Sequence, residues 1–307
     1  MNKWLLLLAA VLVLGCQPAE ESPSAESSAE PDLALADAPP IETADEDVLA
    51  MVLEAQPDDV KARYMYRNPR ETIEFFGIEP GMTVVEGLPG RGWYTKLLLP
   101  YLGSEGHLIG ANYPLEMWPN FPFATEEFMA EMSQWLENWP AQAEEWRGED
   151  GAAVSAFWFG SMPEEMAGTA DVVFFVRMLH NVSRFQSEGK GDYLDMALND
   201  AYNALKPGGI LGVVQHHAPE DRSDEWANGS HGYMKKQFVI DRVVDAGFEF
   251  VGESDINANP ADQPGMDDIV WRLPPTYMTS REDPELKAQY EAIGESNRMT
   301  LKFRKPE

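Results

Sequence analysis

The chain has 307 residues, with 52 Asp and Glu against 23 Lys and Arg and a formal net charge of −29. That imbalance excludes a nucleic-acid binder, which needs a basic face for phosphates, and serves solubility instead. One cysteine rules out an intrachain disulfide, so the fold must rest on packing alone.

Taken in chain order, Lys3 gives a positive start, and Trp4 to Leu14 is an apolar run too short to span a bilayer as a helix. The run ends in Val13-Leu14-Gly15-Cys16. This resembles the lipobox of bacterial lipoproteins, which implies a leader over residues 1–16 and lipidation of Cys16. Several acyl chains on one residue give stable anchoring. Gln17, rather than aspartate, follows the cysteine, and the resemblance then implies an outer-membrane location facing the periplasm, with membrane contact through the lipid only. Residues 17–45 are rich in Ala, Pro, Glu and Ser with little to bury, and from Gln17 to Asp59 there is no Lys or Arg. They read as a disordered acidic tether. One domain is expected over 46–307, with insertions near 115–150 and 255–290.

Asn68-Pro69-Arg70-Glu71 reads as an N-cap, a first-turn proline and a capping-box acid, opening a helix that Gly77 closes. Pro80-Gly81 turns into Thr83-Val84-Val85-Glu86, a β-branched run suited to a buried parallel strand. A Gly-rich stretch, Gly87 to Gly92, and a helix from Trp93 to Tyr101 follow. Further strands are predicted at 108–112, 154–159, 171–176, 210–214, 248–253 and 299–303. Helices are predicted over 126–146, 193–205 and 237–246, and Lys206-Pro207-Gly208-Gly209 reads as a tight reversal. Residues 255–290, rich in Pro and Asp, read as a loop insertion. Strands alternating with helices imply right-handed crossovers and a mostly parallel, doubly wound α/β sheet.

Ligands of such sheets bind beyond the carboxyl ends of the strands. Gly90 and Gly92 lie there, able to let backbone N–H groups approach a ligand, as do Glu86, Asn112, Arg177 and His180. These side chains are expected to look into one common hollow. Of the five histidines only His107 falls elsewhere. Because strand residues alternate, only one of His216 and His217 can face the hollow, and His231 lies in the next loop. Each is either a surface or capping histidine or part of the site. His180 is a candidate general base. Alternatively His180, one of the pair and Glu86 could hold a metal, although the spacing fits no standard zinc motif. Arg177 and Arg91 either pair with Glu86 or recognise a carboxylate or phosphate. Tyr64, Trp93, Tyr94 and Tyr233 are either core or a pocket wall facing a cation. Trp135, Trp139 and Trp146 are expected to pack on the domain.

The sequence resembles class I S-adenosylmethionine (SAM)-dependent methyltransferases, and more closely exported proteins described as predicted methyltransferases. The likeness runs from about residue 60 to the end. It rests on Pro89-Gly90-Arg91-Gly92-Trp93-Tyr94-Thr95, Arg177-Met178-Leu179-His180-Asn181, Leu205-Lys206-Pro207-Gly208-Gly209, Gly232-Tyr233-Met234 and the stretch Ala292 to Leu301. It implies a seven-stranded Rossmann-like sheet and SAM as cofactor. Glu86, Gly90, Gly92 and Asn112 would lie on the cofactor side, and His180 and Arg177 would face a small-molecule or envelope-associated acceptor. Leu88 stands where the motif's first glycine usually does, and Asn112 where a ribose-binding acid usually does. Two other readings remain: the same fold without SAM, binding another ligand or using histidine- or metal-assisted chemistry, and a non-catalytic envelope scaffold.

Overall fold

The computed structural model describes residues 47–307. The lipobox, Cys16 and the whole acidic tether lie outside the described residues.

Seven strands form one sheet: β1 (Thr83–Gly87), β2 (His107–Asn112), β3 (Ala153–Trp158), β4 (Ala170–Val176), β5 (Leu205–His216), β6 (Glu249–Ser254) and β7 (Arg298–Arg304). Their order is β3-β2-β1-β4-β5-β7-β6. The first five in space are parallel, and β7 runs antiparallel to both β5 and β6. This is the Rossmann-like, doubly wound, mostly parallel seven-stranded sheet expected from the sequence. The direction of winding reverses between β1 and β4, so a crevice opens beyond their carboxyl ends.

Alternation along the central strands builds a core on each face. On one face Val85 of β1 packs with Ile109, Val173 and Phe175. On the other, Val84 packs with Leu108, Val172 and Phe174 beneath the helix Thr95–Leu102. A continuous apolar run such as Val172 to Phe175 is what a strand covered on both sides requires. At its entry Asp171 ties two neighbours, accepting a hydrogen bond from the Thr83 N–H at 2.8 Å and pairing with Lys206.

Several local expectations are corrected. Asn68 does not cap the helix Pro69–Phe76 with its side chain. It takes a left-handed backbone, and its Nδ2 donates to the Ile256 carbonyl at 2.6 Å. Lys206-Pro207-Gly208-Gly209 is not a reversal before the strand but lies within β5, where the β4 pairing shifts register. Three helices, Val48–Glu54, Asp58–Lys61 and Tyr64–Arg67, precede the first expected one, and a further helix, Leu179–Ser187, follows β4. The 126–146 region is two helices, Glu126–Ser133 and Trp135–Arg147. Residues 255–290 are not all loop: they contain the short 3-10 turn Val270–Arg272 and most of the helix Pro284–Ile293.

Candidate functional site

Two hollows open at the carboxyl end of the sheet, one on each side of the loop after β1. The first, about 590 Å3, is lined by Arg63, Arg67, Arg177, His180, His216 and Glu295, among others. The second, about 570 Å3, is lined by Asn112, Trp118, Trp135, Trp139 and Trp146 and neighbouring residues. Leu88, Gly90, Arg91 and Lys96 border both. A larger groove of about 700 Å3 runs past Ser183, Asp195, Asp224 and Arg242. It lies away from the strand ends and gathers no cluster of buried charge, so the chemistry is sought in the two hollows.

The backbone is strained where the strands meet them. Leu88 has φ 53° and Arg177 φ 55°, left-handed values that L residues rarely adopt. Each is held by its own N–H, Leu88 to the Ala111 carbonyl and Arg177 to the Val214 carbonyl, both at 2.7 Å. Strain of this kind costs on the order of 1–3 kcal/mol and persists where the surroundings enforce it. Gly92, φ 74°, carries the edge of the indole of Trp146: a Cβ there would lie 2.2 Å from Trp146 Cζ3. The helix Trp135–Arg147 is thereby seated on the loop. Its tryptophans pack on the domain, as expected, and also wall the second hollow.

The expected common hollow divides. Asn112 lines the second hollow, and its Oδ1 accepts from the Tyr113 N–H at 2.8 Å, leaving the amide NH2 as the group available to a ligand. Arg177 and His180 line the first. Glu86 lines neither. It is buried, accepts a 2.7 Å hydrogen bond from Thr95 Oγ1, and burial pushes its carboxyl up to about 7. Glu86 therefore positions the first turn of the helix Thr95–Leu102.

The histidines also divide. His180 and His216 lie with ring centroids 5.3 Å apart, and both border the first hollow. His217 points away and pairs with Glu220, while His231 stacks on Trp226. Burial lowers His180 to about 4 and His216 well below its ordinary value, so both are neutral near pH 7. The tautomer of His180 follows from its neighbour. Gln215 Nε2 donates to the Gly232 carbonyl at 3.3 Å, which fixes the amide's orientation, and the same nitrogen lies 3.2 Å from His180 Nδ1. Nδ1 is then an acceptor and the ring proton sits on Nε2. In this tautomer His180 presents a donor to the hollow, at the place where the sequence suggests a general base. The three proposed metal ligands are not brought together, and no cluster of three His, Cys, Asp or Glu occurs among the described residues.

Neither Arg177 nor Arg91 pairs with Glu86. The partner of Arg177 is Glu295, which sequence reasoning passed over although it stands in the stretch Ala292 to Leu301. Glu295 is bonded by Arg63, Arg67 and Arg298, with Arg177 Nη1 at 3.9 Å. Burial would raise its carboxyl, but Arg67, Arg298, Arg177 and Arg63 together hold it down to about 2. The arginines fare differently: burial, and next the charge of Arg177, lowers Arg67 to about 8. One carboxylate shared among four guanidiniums satisfies the acid and leaves the bases under-neutralised. Arg63 and Arg67, one helical turn apart just before the first expected helix, were the available sequence signal.

The four aromatic residues divide between the two readings, with Trp93 bordering the first hollow. Tyr94 and Tyr233 are buried in the core, and Tyr64 meets Trp93 edge-on. The face of Trp93 is covered by the Arg67 guanidinium at 4.4 Å.

The roof of the first hollow comes from the second insertion, through Val270, Trp271, Leu273 and Pro274. Arg272 pins it from behind, donating to Asp262 at 2.6 Å and to the Tyr233 hydroxyl at 2.7 Å. Asp262 in turn accepts from the Asn297 N–H, next to Ser296 and Glu295. Gly232 is required here: a Cβ would fall 2.1 Å from Val270 Cγ1.

Fold and site together define a Rossmann-like protein with a two-lobed hollow at its winding reversal. No known family's sequence profile matches the chain, and no curated protein is similar to it. Among solved structures it is similar to the [4+2]-cyclase SpnF, at 15% identity and TM-score 0.45, covering 78% of this chain and 80% of that one. It is also similar to a SAM-dependent methyltransferase from Aquifex aeolicus, at 15% identity and TM-score 0.43, covering 68% and 93%. Haemonchus contortus phosphoethanolamine N-methyltransferase 2, in complex with S-adenosyl-L-methionine, matches at 13% identity and TM-score 0.43, covering 79% and 53%. Likenesses this distant assign no activity.

Proposed function

We propose that this protein binds SAM across the loop after β1 and transfers its methyl group to a small-molecule or envelope-associated acceptor. The observation that carries the reading is the pair of hollows sharing Leu88, Gly90 and Arg91, one aromatic with Asn112, the other lined by guanidiniums. SAM is a nucleoside joined to an amino acid, and the two lobes suit those two halves. Asn112 offers an amide to a ribose hydroxyl, the indoles suit a purine, and Arg63 and Arg177 suit a carboxylate. Gly90, bordering both lobes, keeps the loop backbone free of a side chain there, and Gly92 seats Trp146 beside the second.

When bound, the cofactor supplies an electrophilic methyl group; the chain supplies alignment and exclusion of water. The roof of Val270, Trp271 and Pro274 closes the first lobe. His180, neutral and carrying its proton on Nε2, donates a hydrogen bond that orients an acceptor oxygen or nitrogen, and Arg177 stands beside it. The reading extends to the start of the chain: Cys16 is proposed to carry the lipid that holds the protein in the outer membrane facing the periplasm. Metabolic labelling with a radioactive fatty acid tests that part, and persistent labelling of Cys16→Ala contradicts it. Calorimetric titration with SAM and S-adenosylhomocysteine tests the cofactor. Saturable one-to-one binding is expected, and no heat from either compound overturns the proposal.

A further inference from the structure

Arg177 is the unusual member of the cluster. Arg63, Arg67 and Arg298 each donate to Glu295. Arg177 approaches that carboxylate only to 3.9 Å, beyond hydrogen-bond length. Its Nε is buried without a partner, and an orphaned buried donor carries a cost unless something fills it. The residue is nevertheless held there, with a left-handed backbone at the end of β4 and its side chain 29% exposed into the first hollow. In a protein of net charge −29, that hollow is lined by Arg63, Arg67, Arg91, Lys96 and Arg177 against only Asp59 and Glu295. The lowering of Arg67, by burial first and then by the charge of Arg177, points the same way.

We propose that Arg177, with Arg63 and Arg67 behind it, forms an anion subsite for a carboxylate or phosphate group on a ligand of the first hollow. The exposed end of a planar guanidinium fork, 29% of the side chain being accessible, matches either group in a bidentate manner. The anion completes the charge that Glu295 supplies only in part. The inference deepens the proposed site and rests on the SAM reading only for the source of the anion, which is either the amino-acid tail of the cofactor or an anionic acceptor.

Inorganic phosphate is the probe. Calorimetric titration of the whole protein at constant ionic strength, with chloride as the control anion, should show saturable phosphate binding. Arg177→Gln should weaken it at least about tenfold, the value of one charge-assisted hydrogen bond, and Arg177→Lys, which keeps the charge but loses the fork, should fall between. Both variants keep the three bonded arginines on Glu295, and an unchanged unfolding midpoint in chloride would show that the fold is intact. Absence of saturable phosphate binding, or equal binding by Arg177→Gln, overturns the proposal. Two arms identify the source. If prior saturation with S-adenosylhomocysteine abolishes phosphate binding while tail-less 5′-methylthioadenosine does not, the subsite serves the cofactor's carboxylate. If phosphate still binds to the S-adenosylhomocysteine complex, it serves the acceptor. Phosphate binding without any S-adenosylhomocysteine binding upholds the subsite and defeats the SAM reading.

Discussion

Glu295→Gln is the substitution that the buried cluster makes most consequential. The replacement keeps size and shape but removes the carboxylate that Arg63, Arg67 and Arg298 share. Its native carboxyl titrates at about 2 rather than 4.5. At about 1.4 kcal/mol per pH unit, that difference makes ionisation of this group worth about 3 kcal/mol of stability at pH 7. The residue is 2% exposed, so solvent screening does not erode the figure, and breaking a buried pair at one partner typically costs about 3–5 kcal/mol. Because the folded state lowers the value, the contribution is complete above about pH 4.5 and disappears as pH falls toward 2. In a domain of this size, the loss lowers the melting temperature by roughly 6–12 °C at pH 7. Urea unfolding of native and variant protein at pH 7, 5 and 3 measures the effect, and the gap should narrow as pH falls. A gap below about 1 kcal/mol at pH 7, or one constant down to pH 3, would refute the reasoning.

Asp262→Asn removes the closer and fully buried of the two carboxylates that pair with Arg272, leaving Asp268 at 3.6 Å, and destabilisation of about 3 kcal/mol is expected. Loosening the roof should also make Trp271 more accessible to a fluorescence quencher, and unchanged quenching argues against the pinning role. His180, lowered by burial to about 4 from an ordinary 6.5, stabilises the fold fully above about pH 6.5 and progressively less below. Through this group stability falls by about 2 kcal/mol between pH 7 and pH 5. His180→Gln should flatten that part of the pH profile, and a His180 ring resonance that titrates near 6.5 contradicts the account.

The sheet was readable because its information is local. Val84-Val85, Val172 to Phe175 and the β-branched strands each state their own burial, and glycines punctuate them. The site was less readable because it is built from distant pieces. Arg63 and Arg67 precede β1, Arg177 ends β4, and Glu295 and Arg298 flank the start of β7, so no spacing in the chain announces their meeting. Asn112 ends β2, Arg177 follows β4 and His180 opens the next helix, but position in the chain does not tell which of two hollows a side chain enters. Glu86 borders neither hollow for a related reason. A carboxylate at a strand end is equally placed to reach outward or to turn back to Thr95, and only packing decides. The roof over 255–290 was missed because it is held by Asp262, Arg272 and Tyr233 in place of regular secondary structure. The tautomer of His180 depends on Gly232, a contact that has no periodicity.

The central claim is that one two-part ligand lies across the loop after β1, with its nucleoside half against Asn112 and the four tryptophans of the second hollow. Tryptophan fluorescence during titration with S-adenosylhomocysteine reports on that half directly. The account predicts a saturable change, weakened at least about tenfold by Asn112→Ala. A signal that stays flat up to about millimolar ligand, the weak limit of specific small-molecule binding, or identical curves for native and variant protein, would contradict it.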